Sequence, residues 1–140
     1  MDYIIKKPGD LSPEQYAQMK RHVAIDDYVK DWFPKLPSRS RENIVFGIQD
    51  HHERFDGTGY LRGKRGRAIS FAGRLIAICD VYDALTRRRA YKTAIRPHQA
   101  IDILFGMNRK GFFDGTLFGK FIQTVGRFPT GSVIATSHGL

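Results

Sequence analysis

The chain has 140 residues and carries 23 Lys and Arg against 14 Asp and Glu, a formal net charge of +9, with 41% hydrophobic and 26% charged residues. A chain of this length and composition folds as one domain with a sizeable core, extensive disorder is excluded, and no apolar run reaches the roughly eighteen residues that span a bilayer. The single cysteine, Cys79, excludes an intrachain disulfide and a cysteine-based zinc site, and its setting in "LIAICDVYDAL" suits a small buried hydrophobe.

The opening "MDYIIKKPGD" lacks the long apolar core of a signal peptide, so the chain reads as cytoplasmic. Its positive charge favours an anionic partner such as a nucleotide or nucleic acid. An acidic complement elsewhere in a larger protein accounts for the charge equally well.

"LSPEQYAQMKRHVAIDDYVKDWF" opens with Ser12 as N-cap, Pro13 at the first helical position and Gln15 completing a capping box, which predicts a helix over 13 to 31. Tyr16, Met19 and Val23 form its apolar stripe, and His22 lies beside that stripe, facing inward. Two prolines in "FPKLPS" break the pattern, and "SRSRENIVFGIQDHH" restarts a helix in which Ile44, Ile48 and His51 share a face. The pair His51 and His52 therefore ends a helix.

"FDGTGYLRGKRGR" holds four glycines and a basic cluster and reads as a long loop. The run "RGKRGR" has the charge to bind phosphates, although a solvated, Gly-spaced charge run is the commoner explanation. From Ser70 to about Arg88 the pattern is helical, with Leu75, Cys79 and Tyr82 on one stripe and Ile76, Asp80 and Asp83 on the next. "RPHQAIDILFGM" and "GTLFGKFIQTV" give two shorter amphipathic helices, and the tail "GSVIATSHGL" reads as a strand with a turn. The sum is an all-α domain with a short β-like C-terminal extension.

His22, His51, His52 and Asp80 fall on three different predicted helices, each beside a buried stripe, so a bundle can bring them together as imidazole and carboxylate donors for a divalent metal. A lone His beside an apolar face is more often a hydrogen-bonded core residue, and Asp80 is equally suited to pairing with an arginine. Adjacent histidines on a helix point about 100° apart, so both reach one site only if it caps the helix end or holds two metals. His98 and His138 lie apart from the acids and read as structural or exposed. No P-loop, G-x-S-x-G elbow or Cys-His nucleophile pair is present.

At "HHERFDGTGYL" followed by "ICDVYDALTRRRAYKTA", with "KKPGDLSPEQYAQMKRH" upstream, the chain resembles the HD-GYP family of bacterial metal-dependent phosphodiesterases that hydrolyse cyclic di-GMP. The resemblance runs from Asp2 to Val125. It implies that His22, His51, His52 and Asp80 are metal ligands and that Tyr60, Arg89 and Lys92 contact the cyclic dinucleotide. It also implies iron- or manganese-type divalent ions that bridge a hydroxide and neutralise the phosphate.

Three positions depart from the family pattern. Leu61 follows Tyr60 where the family has proline, Arg89-Ala90-Tyr91 replaces Arg-Pro-Tyr, and Asp26 stands where a glycine is usual. The chain also opens just after the place of the family's His-Asp pair. The expectation is therefore an HD-superfamily helical bundle incomplete at its N-terminus, with residues 1–126 as the partial domain and 127–140 as the extension.

Without that pair no complete two-metal site forms in one copy, so the metal ions are not firmly retained and the isolated chain is inactive. Uncovered apolar surface in such a bundle predicts a homo-oligomer or helix swapping. The function that follows is cyclic di-GMP hydrolysis in bacterial signalling by the parent protein. The alternative is a non-catalytic module that senses cyclic di-GMP or docks onto other signalling proteins. No base-reading motif accompanies the charge, so specific nucleic-acid binding is not expected.

Overall fold

A computed structural model describes residues 11–24, 32–87 and 94–126. The fold is all-α: α1 (Pro13–Lys20), α2 (Ser38–Asp50), α3 (Phe71–Thr86), α4 (Pro97–Arg109) and α5 (Gly115–Val125), with no strand among the described residues. Short 3-10 turns occupy Arg21–Val23 and Gly66–Ala68. The strand-like extension over 127–140 lies outside the described residues, as do Asp26, Arg89 and Lys92.

Local chemistry starts the helices where the sequence places them. Ser12 Oγ accepts from the Gln15 amide at 3.2 Å while Gln15 Oε1 accepts from the Ser12 amide at 3.0 Å, which completes the capping box. Pro97 stands in the first turn of α4. Two boundaries differ from expectation. Within the helix predicted over 13 to 31, the α-helix ends at Lys20, because the chain tightens into the 3-10 turn that Ala24 closes by donating to the Arg21 carbonyl at 2.9 Å, and residues 25–31 of that span lie outside the described residues. The helix predicted from Ser70 begins at Phe71, with Ser70 as its N-cap, and ends at Thr86, where Arg87 swings to extended backbone.

The α3 helix is the hub, packing on α2, α4 and α5. Ile78 of α3, Ile101 and Leu104 of α4, Phe113 and Phe118 make the fully enclosed cluster, and Tyr82, Met107 and Phe121 pack around it. The face that α3 turns inward is Gly73, Ala77 and Ile78. This corrects the sequence reading of Cys79, which lies exposed on the side of α3 away from that face, as do Leu75 and Phe71, the last of these 61% exposed. Partial shielding still pushes its thiol pKa up.

Two contacts set how the helices approach. A Cβ on Gly73 would strike the Asp50 side chain, and one on Gly47 would come within 3.1 Å of Ala72 and Ile76, so small residues let α2 and α3 close together. Arg74 Nη1 donates to Asp114 Oδ2 at 2.5 Å, and Asp114 Oδ1 caps α5 by accepting from Thr116 N at 3.0 Å and Leu117 N at 3.3 Å. Burial alone would raise the Asp114 pKa. The Leu117 and Thr116 amides and the Arg74 guanidinium outweigh it and hold the carboxyl below the ordinary aspartate range.

Gly73→Ala is expected to destabilise the fold by about 1–3 kcal/mol through overpacking. Gly106→Ala, in α4 with open space around the added methyl, should stabilise it by about 0.5–1 kcal/mol. Thermal or urea denaturation of the two variants measures both signs. Because the folded pKa of Asp114 is depressed, its contribution is present above the unfolded value near 4 and is lost as pH falls through the folded value. Asp114→Asn should therefore cost roughly 1.5–3 kcal/mol at pH 7, and its gap from the parent chain should close in acid.

Candidate metal centre

The three histidines singled out from sequence come together. His22 lies in the 3-10 turn after α1, His51 caps the C-terminus of α2, and His52 follows it. One ring nitrogen from each lies within 4.8 Å of the others, a group suited to hold a metal ion.

Backbone carbonyls fix two of the rings. His22 Nδ1 lies 2.6 Å from the Met19 carbonyl oxygen, and His51 Nδ1 lies 2.7 Å from that of Ile48. A carbonyl only accepts, so each Nδ1 carries a proton, which leaves Nε2 as the nitrogen that can offer a lone pair. This is the arrangement that orients a metal-binding imidazole and sets its tautomer. His52 Nε2 stands 3.1 Å from His22 Nε2. Two nitrogens each about 2.1 Å from one ion are roughly 3.0–3.4 Å apart, so this pair fits a shared divalent cation.

Electrostatics point the same way. Burial, then the charges of His51 and His22, lower the His52 pKa to about 4, so that ring is neutral at pH 7 and retains its coordinating lone pair. Its face stacks on Tyr60, with centroids 4.8 Å apart. Burial, the neighbouring Tyr16 and the charge of Asp80 raise the Tyr60 phenol to about 12, against an opposing pull from Arg54. Tyr60 is therefore a protonated donor at neutral pH, and its hydroxyl donates to the Met19 thioether at 4.0 Å.

Asp80 sits half-buried on α3, close enough to act on Tyr60, but it stands outside the group of three whose donor atoms lie within 4.8 Å. Arg89 and Lys92 fall outside the described residues. Beside the histidines opens a cavity of about 210 Å³ lined by Tyr16, His51, His52, Arg54, Thr58 and Tyr60 among others. Lys20 Nζ lies 4.8 Å from the Tyr16 ring centroid and 5.8 Å from that of Tyr60, which adds positive charge at the rim.

Two carboxylates that the sequence reading passed over hold this site in shape. Glu53, almost fully buried, accepts from the Arg62 amide at 2.7 Å and the Lys64 amide at 3.1 Å. Asp50, 0% exposed, takes the Lys64 ammonium at 2.7 Å and the Ser70 amide at 2.8 Å. The chain then folds back so that Tyr60 N donates to the His52 carbonyl at 3.1 Å. Gly59 permits this close return, since a Cβ there would strike the backbone of Glu53 and Arg54. The available signal was two acids flanking a histidine pair just before a basic glycine-rich loop.

A family model described as HD domain matches residues 2–117. The chain belongs to the HD domain family, which is metal-dependent, and its relatives named as cyclic di-GMP phosphodiesterases are of the HD-GYP type. It is 34% identical over 139 residues to a cyclic di-GMP phosphodiesterase of Pseudomonas aeruginosa, an alignment covering 99% of this chain and 32% of that protein. It is likewise 34% identical over 140 residues to the cyclic di-GMP phosphodiesterase response regulator RpfG of Xanthomonas campestris pv. campestris, covering 94% and 35%. A 3'3'-cGAMP-specific phosphodiesterase 1 of Vibrio cholerae is 32% identical over 127 residues, covering 86% and 27%. The chain thus spans about a third or less of the length of these relatives. No helix among the described residues is long and apolar enough to cross a membrane.

Calorimetric titration with Mn²⁺ should show saturable binding that weakens at least tenfold in His51→Ala and in His52→Ala. Unchanged affinity in both variants would remove the histidine cluster from consideration as a metal site.

Proposed function

We propose that this chain is the metal-holding portion of an HD-GYP phosphodiesterase that hydrolyses cyclic di-GMP in bacterial signalling. The observation that carries the reading is the convergence of His22, His51 and His52, two of them held by carbonyls in the tautomer that offers Nε2. Three imidazoles with Asp80 nearby make a mixed nitrogen and oxygen donor set, which suits iron or manganese. When bound, the divalent ion supplies positive charge that polarises the phosphodiester and neutralises charge developing during cleavage.

The chain's own groups complete the task. Tyr60, stacked on His52 and protonated at neutral pH, offers a ring face and an O–H donor to the dinucleotide. Lys20 and Arg54 give the rim the positive sign that a phosphate needs, and Arg89 and Lys92 are proposed to hold the second phosphate. A cytoplasmic location is proposed with this reading. Cyclic di-GMP is favoured by the names of several relatives, and 3'3'-cGAMP is the competing substrate because other relatives carry that name.

Metal-loaded chain should bind cyclic di-GMP in calorimetry, with affinity falling at least tenfold in His52→Ala and Tyr60→Ala. Turnover followed on the same samples by product chromatography separates the enzyme from a sensing module, which would bind without hydrolysing. Absence of binding to either dinucleotide, with and without Mn²⁺ or Fe²⁺, would overturn the proposal.

A further inference from the structure

A second cavity, of about 480 Å³, runs along the outer face of α2 and shares no lining residue with the cavity beside the histidines. Its volume lies in the range of small-molecule sites. Arg41, Glu42, Phe46 and Gln49 line it from α2, and Arg62 lines it from the loop.

Gln49 is the telling residue. It is only 7% exposed, yet its carboxamide has no hydrogen-bond partner among the described residues. A buried amide with two donors and an acceptor is costly to leave unmade, and such a group facing a cavity marks a place where a ligand can supply the missing bonds. Phe46, three residues earlier, is 43% exposed and presents ring surface along the same wall. Arg41 is half-buried, and among the described residues its guanidinium reaches only the Ser38 hydroxyl, at 3.5 Å.

The order of these groups has a length. Gln49 and Arg41 are eight residues apart on one helix, which separates them by about 12 Å along its axis, with Phe46 and Glu42 between. A hydrogen-bonding pair, an aromatic face, a carboxylate and a guanidinium in that order match a heterocyclic base, its stacking surface, ribose hydroxyls and a phosphate. Carboxamides pair with purine edges, carboxylates with ribose hydroxyls, and arginines with phosphates.

We propose that this cavity binds a purine ribonucleoside monophosphate, separately from the metal centre: Gln49 takes the base edge, Phe46 the base face, Glu42 the ribose and Arg41 the phosphate. The occupied pocket spans α2 and the loop that carries Tyr60, so the ligand bridges the two segments that shape the metal centre.

Calorimetric titration of AMP and GMP into the full chain held in chelator tests this without any contribution from metal. The expected result is one purine nucleotide bound per chain, at least tenfold tighter than ribose 5-phosphate, with affinity falling at least tenfold in Gln49→Leu and in Arg41→Ala and unchanged in His52→Ala. Gln49→Leu removes an unpaired buried amide, so its melting temperature should hold or rise. Arg41→Ala, at a partly exposed position, keeps the test available if the first variant misfolds. Equal affinity for ribose 5-phosphate, loss of binding in His52→Ala, or no saturable binding at millimolar nucleotide would overturn the proposal. None of these outcomes bears on the phosphodiesterase reading, whose binding depends on metal.

Discussion

One buried carboxylate joins the parts that make the site. Asp50, the last residue of α2, has no exposure to solvent and receives the Lys64 ammonium and the Ser70 amide. Ser70 in turn caps α3 through Gly73 and donates to the Phe46 carbonyl at 3.1 Å. Gly73 leaves room for the Asp50 side chain itself. The end of α2, the middle of the loop and the start of α3 thus meet at one side chain. An uncompensated buried charge is worth several kcal/mol against the fold, so this junction holds only while all three parts are in place. His51 and His52 are the next two residues, and their position follows from it.

What the junction delivers is a set of imidazoles held close together. Three rings with centroids 4.1 to 5.4 Å apart repel one another if protonated, and burial penalises the same state. The low pKa of His52 expresses that cost. Carbonyl contacts at Met19 and Ile48 hold Nδ1 of His22 and His51 as donors, which leaves Nε2 as the nitrogen of each ring free to coordinate. Three ring nitrogens within 4.8 Å of one another form a group that could hold a metal ion.

Much of this was legible in the sequence, and the reasons are local. The capping box at Ser12, the proline at the start of α4 and the apolar period of α2 through α5 depend on neighbours a few residues away. The histidine pair at a helix end follows from the same period. The outward turn of Cys79 was not legible, because a helix apolar on more than one stripe does not say which stripe its neighbours will cover. The 3-10 turn at His22 was hidden too, since the apolar stripe carries on through Val23 while the backbone tightens. The roles of Asp50 and Glu53 were not legible because their partners lie nine to twenty residues on, in a loop whose return no periodicity encodes.

The basic run at 62–67 shows how far tertiary structure can change the meaning of a charge pattern. Read alone, it is a solvated cluster or a phosphate-binding patch. In the fold, the Lys64 ammonium is the counter-charge of buried Asp50, while Glu53 is held by the backbone amides of Arg62 and Lys64. Arg65 and Arg67 remain on the surface. The positive balance of the chain is therefore not a single feature. Lys64 is consumed in closing the loop, and that closure returns Tyr60 to the face of His52, with Lys20 and Arg54 beside it.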